Sequence, residues 1–307
     1  DRIWLSAPDG KGGKPLRPDT TDIERDPSWS TDGRSIVFAA DTGQGFNLVV
    51  VPSGGGDARV MTTLEGDERW PSWTSDGRVV FSYRAGGRWQ LHVVDAAGGT
   101  PKPLFSDTAA DDEQQGRVSP DGKRVAYLSD RDSDDGDRDL WVAELAPGPR
   151  DRVTRSRLVR VRGAEGFPAW SPDSSRLAFF AVREGAGGVW VVGVPEVLTA
   201  PGPPTPQGDA GPVARPASAA PPTLVSRHGG APAWSPDGKR LAIANLPLPD
   251  PSYNGNPERN TDEPPPLFAG ADAFRLWLVD APLPIDSGER EILTASPRDS
   301  QLLVAFD

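Results

Sequence analysis

Five times along the chain a polar tight turn is followed by an unbroken apolar run. The runs are SIVFAAD (Ser35 to Asp41), RVVFSY (Arg78 to Tyr83), RVAYLS (Arg124 to Ser129), RLAFFA (Arg176 to Ala181) and RLAIAN (Arg240 to Asn245). Each belongs to a longer copy of one unit: PSWSTDGRSIVFAAD, PSWTSDGRVVFSY, GRVSPDGKRVAYLSD, PAWSPDSSRLAFFA and PAWSPDGKRLAIAN. The turn aspartates stand at 32, 76, 121, 173 and 237, in steps of 44, 45, 52 and 64 residues. Self-similarity at that period marks a repeat architecture. β-Branched and aromatic runs broken by turn residues predict four-stranded blades of a β-propeller.

A second apolar strand follows within about ten residues in four copies and after a longer insertion in the fifth: NLVVV (Asn47 to Val51), QLHVV (Gln90 to Val94), DLWVA (Asp139 to Ala143), GVWVV (Gly188 to Val192) and RLWLV (Arg275 to Val279). A sixth copy, RIWLS (Arg2 to Ser6), lacks an Asp-Gly strand before it, and SQLLVAFD (Ser300 to Asp307) lacks a partner after it. The two orphans predict one shared blade, closing the ring and removing free sheet edges. The expected fold is all-β: a six-bladed β-propeller of four-stranded antiparallel blades, the last shared by N- and C-terminal strands.

Residues 1–307 are then a single closed unit, since a repeat protein of this length needs no second domain. Two insertions break the period. Residues 200–222, rich in Pro and Ala, have little apolar surface to bury and are expected to be disordered. Residues 247–266 are expected to form a loop within the fifth blade.

The chain is 36% hydrophobic, with 10 Trp and 10 Phe, enough for a sizeable core. The 34 Gly and 34 Pro suit a fold with many turns. A formal net charge of -11 argues against nucleic acid. The most basic stretch, Arg150 to Arg162, alternates its arginines with Val, Thr and Leu like a solvated strand edge. No run of 18 apolar residues occurs, so no membrane insertion is expected. Without cysteine, the chain needs no disulfide in any compartment. It opens on Asp1 with no signal-like segment, which reads as a processed or excised piece.

The unit W-S-P-D-G-K-R-L-A, followed by a D-L-W-V strand and a Gly-Gly turn such as Ser53-Gly54-Gly55 or Ala97-Gly98-Gly99, resembles the TolB-like β-propeller repeats. That resemblance covers nearly the whole chain. It implies a periplasmic or extracytoplasmic, non-catalytic module that binds a protein or peptide. It equally implies an accessory propeller of a larger hydrolase, such as tricorn-type proteases, prolyl-oligopeptidase relatives or amidohydrolases. The catalytic domain would then lie outside this chain.

No nucleophile elbow, no HExxH and no phosphate loop is present, so no catalytic residues are assigned. With only two histidines, a His-rich metal site is excluded. His92 occupies the column held by Trp4, Trp141, Trp190 and Trp277, which predicts a packing role. The turn aspartates are expected to accept backbone N–H groups, and Ser174, in place of Gly, to strain its turn.

Two constellations remain. The acidic hairpin with Asp130, Asp132 and Asp134 offers clustered carboxylates for calcium, although its spacing departs from the EF-hand. Glu24, Glu68, Glu113 and Glu165 each stand five residues before the inner-strand slot held by Trp29, Trp73, Val118 and Trp170. Equivalent positions on successive blades would converge on one channel mouth, making it acidic and suited to a cation or basic peptide end. Arg25, Arg69 and His228 stand at the same mouth. The opposing expectation is that each Glu pairs with a neighbour and stitches adjacent blades.

Overall fold

The second strand of every repeat is apolar on both sides because both sides are covered. In the structure, a computed structural model, Ile36, Val37, Phe38, Ala39 and Ala40 are successive residues and all are buried. The structure describes residues 2–5, 12–41, 43, 45–106, 111–133, 136–145, 153–160, 165–183, 186–198, 221–227, 230–245, 275–280 and 290–294.

The order begins with a two-stranded pair, β1 (Trp4–Leu5) and β2 (Lys14–Pro15). Blade 1 is β3 (Ile23–Trp29), β4 (Ser35–Asp41), β5 (Phe46–Pro52) and β6 (Arg59–Val60). Blade 2 is β7 (Asp67–Trp73), β8 (Arg78–Arg84), β9 (Trp89–Asp95) and β10 (Lys102–Pro103). Blade 3 is β11 (Glu113–Val118), β12 (Arg124–Ser129), β13 (Asp139–Glu144) and β14 (Arg155–Val159). Blade 4 is β15 (Glu165–Trp170), β16 (Arg176–Arg183), β17 (Ala186–Gly193) and β18 (Thr223–Ser226). Blade 5 is β19 (Gly230–Trp234), β20 (Arg240–Asn245), β21 (Arg275–Asp280) and β22 (Arg290–Thr294). Every pairing is an antiparallel meander, and no helix occurs among the described residues.

The core is divided among the seams between sheets. Leu128, Leu140 and Val142 of blade 3 pack on Trp170, Leu177 and Phe179 of blade 4. Val37 and Leu48 of blade 1 pack on Val79, Phe81 and Val94 of blade 2. Ile3 and Leu16 of the N-terminal pair pack on Ile36, Phe38 and Val49 of blade 1. Sheets stacked face to face in sequence order, touching through their first strands β3, β7, β11, β15 and β19, form a propeller wall around an axis.

The blade count differs from expectation. The described residues hold five four-stranded sheets and one two-stranded pair, not six complete blades. The pair packs where a blade preceding blade 1 would, but supplies only two strands. Residues 300–307, expected to complete it, lie outside the described residues, as do residues 200–220 and 247–266 of the two insertions.

Candidate binding site on the axial strands

Four of the five inner strands are built around a bulge, and β19 pairs with β20 without one. The register of β3 on β4 shifts between Arg25 and Ser28, of β7 on β8 between Arg69 and Ser72, of β11 on β12 between Gln114 and Arg117, and of β15 on β16 between Gly166 and Ala169. One residue in each bulge adopts the left-handed conformation: Asp26 (φ 55°), Trp70 (φ 52°), Gln115 (φ 55°) and Phe167 (φ 54°). None is glycine, and for a bulky side chain this conformation is costly. Neighbouring bulges help hold one another. Asp26 accepts the main-chain N–H of Trp70 at 3.3 Å, and Gln115 Oε1 accepts that of Phe167 at 2.6 Å.

Three of the four glutamates expected at a channel mouth lie elsewhere. Glu24, Glu68 and Glu113 are buried at the seams. Glu24 accepts the Ile3 N–H at 2.9 Å and Arg17 Nε at 2.6 Å. Glu68 accepts the N–H groups of Leu48 (3.0 Å) and Leu64 (3.2 Å), and the Thr62 hydroxyl. Ile3 and Leu48 are equivalent third-strand residues, each carbonyl taking the N–H of an outer-strand residue, Leu16 or Met61. Their own N–H groups are then satisfied by the glutamate of the next blade. A buried donor must find a partner, and the repeat supplies one across the seam. The stitching alternative therefore accounts for these carboxylates. Of Glu165 the structure describes only the backbone, opposite Ala181, and His228 lies outside the described residues.

Glu113 keeps the pattern only in part: the Leu91 N–H, equivalent to those of Ile3 and Leu48, acts to lower its pKa. Burial pushes its carboxyl up to about 8 against the pull of Arg155, whose guanidinium is 3.6 Å away. The outer-strand position that supplies Arg17 and Thr62 in the earlier seams is Phe105 here, which has no donor. Among the described residues neither Glu113 oxygen reaches full hydrogen-bond geometry, and the buried Tyr127 hydroxyl beside it has no hydrogen-bond partner either.

Of the acidic hairpin, Asp130 is engaged within the fold. Asp130 accepts the Asp112 N–H at 2.8 Å and pairs with Arg88 at 3.3 Å. Asp132 sits in a turn at φ 56°, and Asp134 lies outside the described residues. Among the described residues no group of three or more His, Asp or Glu is placed to hold a metal ion. His92 is buried, edge-on to Tyr83 with ring centroids 5.1 Å apart, and burial lowers its pKa, in keeping with packing.

With the glutamates withdrawn, the axial wall of blades 1 to 3 is lined by arginine. Arg69 Nε donates to Asp26 at 2.5 Å. Arg25 and Arg69 lie over the Phe46 ring, at 5.6 and 4.7 Å from its centroid. Burial and the neighbouring Arg69 charge lower the Arg25 pKa, while Asp26 and Asp41 act to raise it. Arg117 donates to the carbonyls of Trp70 (3.1 Å) and Pro71 (3.4 Å) on the preceding inner strand, β7. Burial lowers its pKa, and Asp26 is the carboxylate that acts against that. Arg117 stands where the other inner strands carry Ser28, Ser72, Ala169 and Ala233. Sequence reasoning passed over it, although GRVSPDG against PSWSTDG and PAWSPDG shows the odd residue.

The turn aspartates behave as expected. Asp32, Asp121 and Asp237 each accept a serine hydroxyl two residues before and a main-chain N–H two residues after. The side-chain hydrogen bond from Ser171 draws the Asp173 carboxyl down to about 2. Ser174 takes φ 58°, beside 71° and 67° for the equivalent Gly122 and Gly238.

No protein-family model matches the chain. Among curated proteins, the Tol-Pal system protein TolB of Alcanivorax borkumensis is 31% identical over 104 residues, 32% of this chain and 20% of that protein. Dipeptidyl-peptidase 5 of Porphyromonas gingivalis is 35% identical over 78 residues, 25% of this chain and 11% of that protein. Of solved structures, TolB from Acinetobacter baumannii superposes with a TM-score of 0.64 at 15% identity, covering 92% of this chain and 60% of the other. The matched segments thus span a fifth or less of the two curated relatives. The chain resembles the TolB-like propellers in its repeat and shares their fold.

Proposed function

We propose that this chain is a non-catalytic propeller module that binds a protein or peptide at the axial end of its inner strands. The carrying observation is the row of strained residues, Asp26, Trp70, Gln115 and Phe167, at one level of four successive inner strands. Backbone strain held at equivalent places around an axis points to a contact surface. The partial likeness to TolB supports the same reading and an extracytoplasmic location. Calorimetry with short peptides, paired with a hydrolysis assay on the same peptides, tests it. Binding without turnover is expected, and turnover would overturn it.

The second reading, an accessory or gating propeller of a larger hydrolase, rests on the segment shared with dipeptidyl-peptidase 5. A catalytic domain encoded in the same reading frame would favour it.

The ring itself belongs to the proposal. The N-terminal pair β1–β2 is the outer half of a sixth blade, and SQLLVAFD (300–307) supplies an inner strand to it. The partial blade buries Ile3 and Leu16 against blade 1 but holds two strands alone. Deleting 300–307 should lower the melting temperature of the whole chain, and an unchanged midpoint would sink the six-blade count.

A further inference from the structure

The carboxylate chemistry of the axial wall is the reverse of what the net charge suggests. The chain carries a formal charge of -11, yet three guanidiniums gather around the buried Asp26 on the inner strands of blades 1 to 3. Arg69 is ion-paired to it, and Arg25 and Arg117 feel its charge. Asp41 adds a second carboxylate near Arg25. The hydrogen bonds of Arg117 run to the main-chain carbonyls of Trp70, Pro71 and Gly116, and among the described residues no carboxylate forms an ion pair with it. A cation kept in a half-buried wall with only carbonyl partners retains capacity for an anion, because a guanidinium has five donors in a planar fork.

The surroundings narrow the class of anion. The half-buried rings of Phe46 and Trp70 lie against Arg69, at 4.7 and 5.1 Å from its guanidinium carbon. Aromatic surface beside a guanidinium fork suits a carboxylate carried on a chain that also brings apolar groups. We infer that Arg25, Arg69 and Arg117, with Phe46 and Trp70, form a site for the side-chain carboxylate of an acidic peptide segment. This rests on the peptide-binding reading and gives it a chemistry.

The test is calorimetry on the whole chain with three capped peptides: acetyl-Glu-Phe-Glu-amide, acetyl-Gln-Phe-Gln-amide and acetyl-Lys-Phe-Lys-amide. The acidic peptide should bind most tightly. Arg117→Ser, which installs the residue blades 1 and 2 carry at this place, should weaken it by about tenfold or more, the size of one charged hydrogen bond. Arg117→Gln keeps a donor for the Trp70 carbonyl, removes the charge, and should lose affinity alike. Lys239→Ser, removing an exposed charge on the blade 5 turn, should change nothing. Preference for the lysine peptide, or acidic binding that survives both Arg117 variants, would overturn the carboxylate site while leaving a peptide-binding module. No binding of any peptide at millimolar concentration would overturn both.

Discussion

The Trp73 indole donates its N–H to the main-chain carbonyl of Ser28 at 3.1 Å, across the seam between blades 1 and 2. The bond repeats as Trp170 to Arg117 at 2.8 Å and Trp234 to Ala169 at 3.1 Å. The tryptophan that marks the repeat is thus a staple to the preceding blade. Blade 3 has Val118 at this place, and there the Val118 N–H donates to the Ser72 hydroxyl instead, at 3.0 Å.

Trp73→Phe should keep most of the packing and strand the Ser28 carbonyl. A loss of about 1–2 kcal/mol is expected from one unmade hydrogen bond. Urea unfolding would measure it, and an unaltered midpoint would show the bond to be dispensable.

Glu68→Ala should cost more, roughly 2–4 kcal/mol, because it strands the Leu64 N–H and the Thr62 hydroxyl at a buried seam and leaves the Leu48 N–H with only the Thr62 oxygen, 3.0 Å away. The same substitution at an open channel mouth would be nearly neutral. Thermal melting therefore separates a stitching glutamate from a ligand-facing one.

Glu113 makes stability depend on pH. Its folded carboxyl titrates near 8, above the ordinary 4.5, so the folded state holds a proton the unfolded chain has lost. The stabilisation is complete below about 4.5 and is lost as pH rises through about 8. Glu113→Gln should leave stability at pH 5 nearly unchanged and raise it at pH 9. Arg155, Tyr127, Asp111 and Arg131 surround the group, and only the carboxyl's own removal should flatten the profile. An unchanged slope between pH 5 and 9 would place the titration elsewhere.

Ser174 sits between two effects. Its left-handed φ favours glycine, but its hydroxyl accepts the Asp121 N–H at 3.1 Å, tying the turns of blades 3 and 4. Ser174→Ala keeps the strain and loses the bond, so about 1 kcal/mol of destabilisation is expected. Ser174→Gly relieves strain while losing the same bond, and should fall within about 0.5 kcal/mol of the parent chain. Guanidinium denaturation of the pair decides the order, and Gly falling below Ala would refute it.

The sequence by itself determined the blade. Alternation of Asp turns with apolar runs and a Trp before four of the five turns are local signals, and local hydrogen bonding enforces them. The Ser30 hydroxyl donates to Asp32 only two residues away, so five letters suffice to specify that turn. Even the strain at Ser174 was legible, because one residue departs from its column.

Only the tertiary structure decided what the charged columns do. Glu24 and Glu68 share an offset from the inner strand, and that offset is compatible with a channel mouth or a seam. The choice depends on a buried N–H about twenty residues earlier, at Ile3 or Leu48, that the carboxylate reaches across the seam. Burial then turned carboxylates read as a mouth into acceptors between blades. Arg25, Arg69 and Arg117 are scattered over the sequence and gather at Asp26 only when three inner strands stand side by side around one axis.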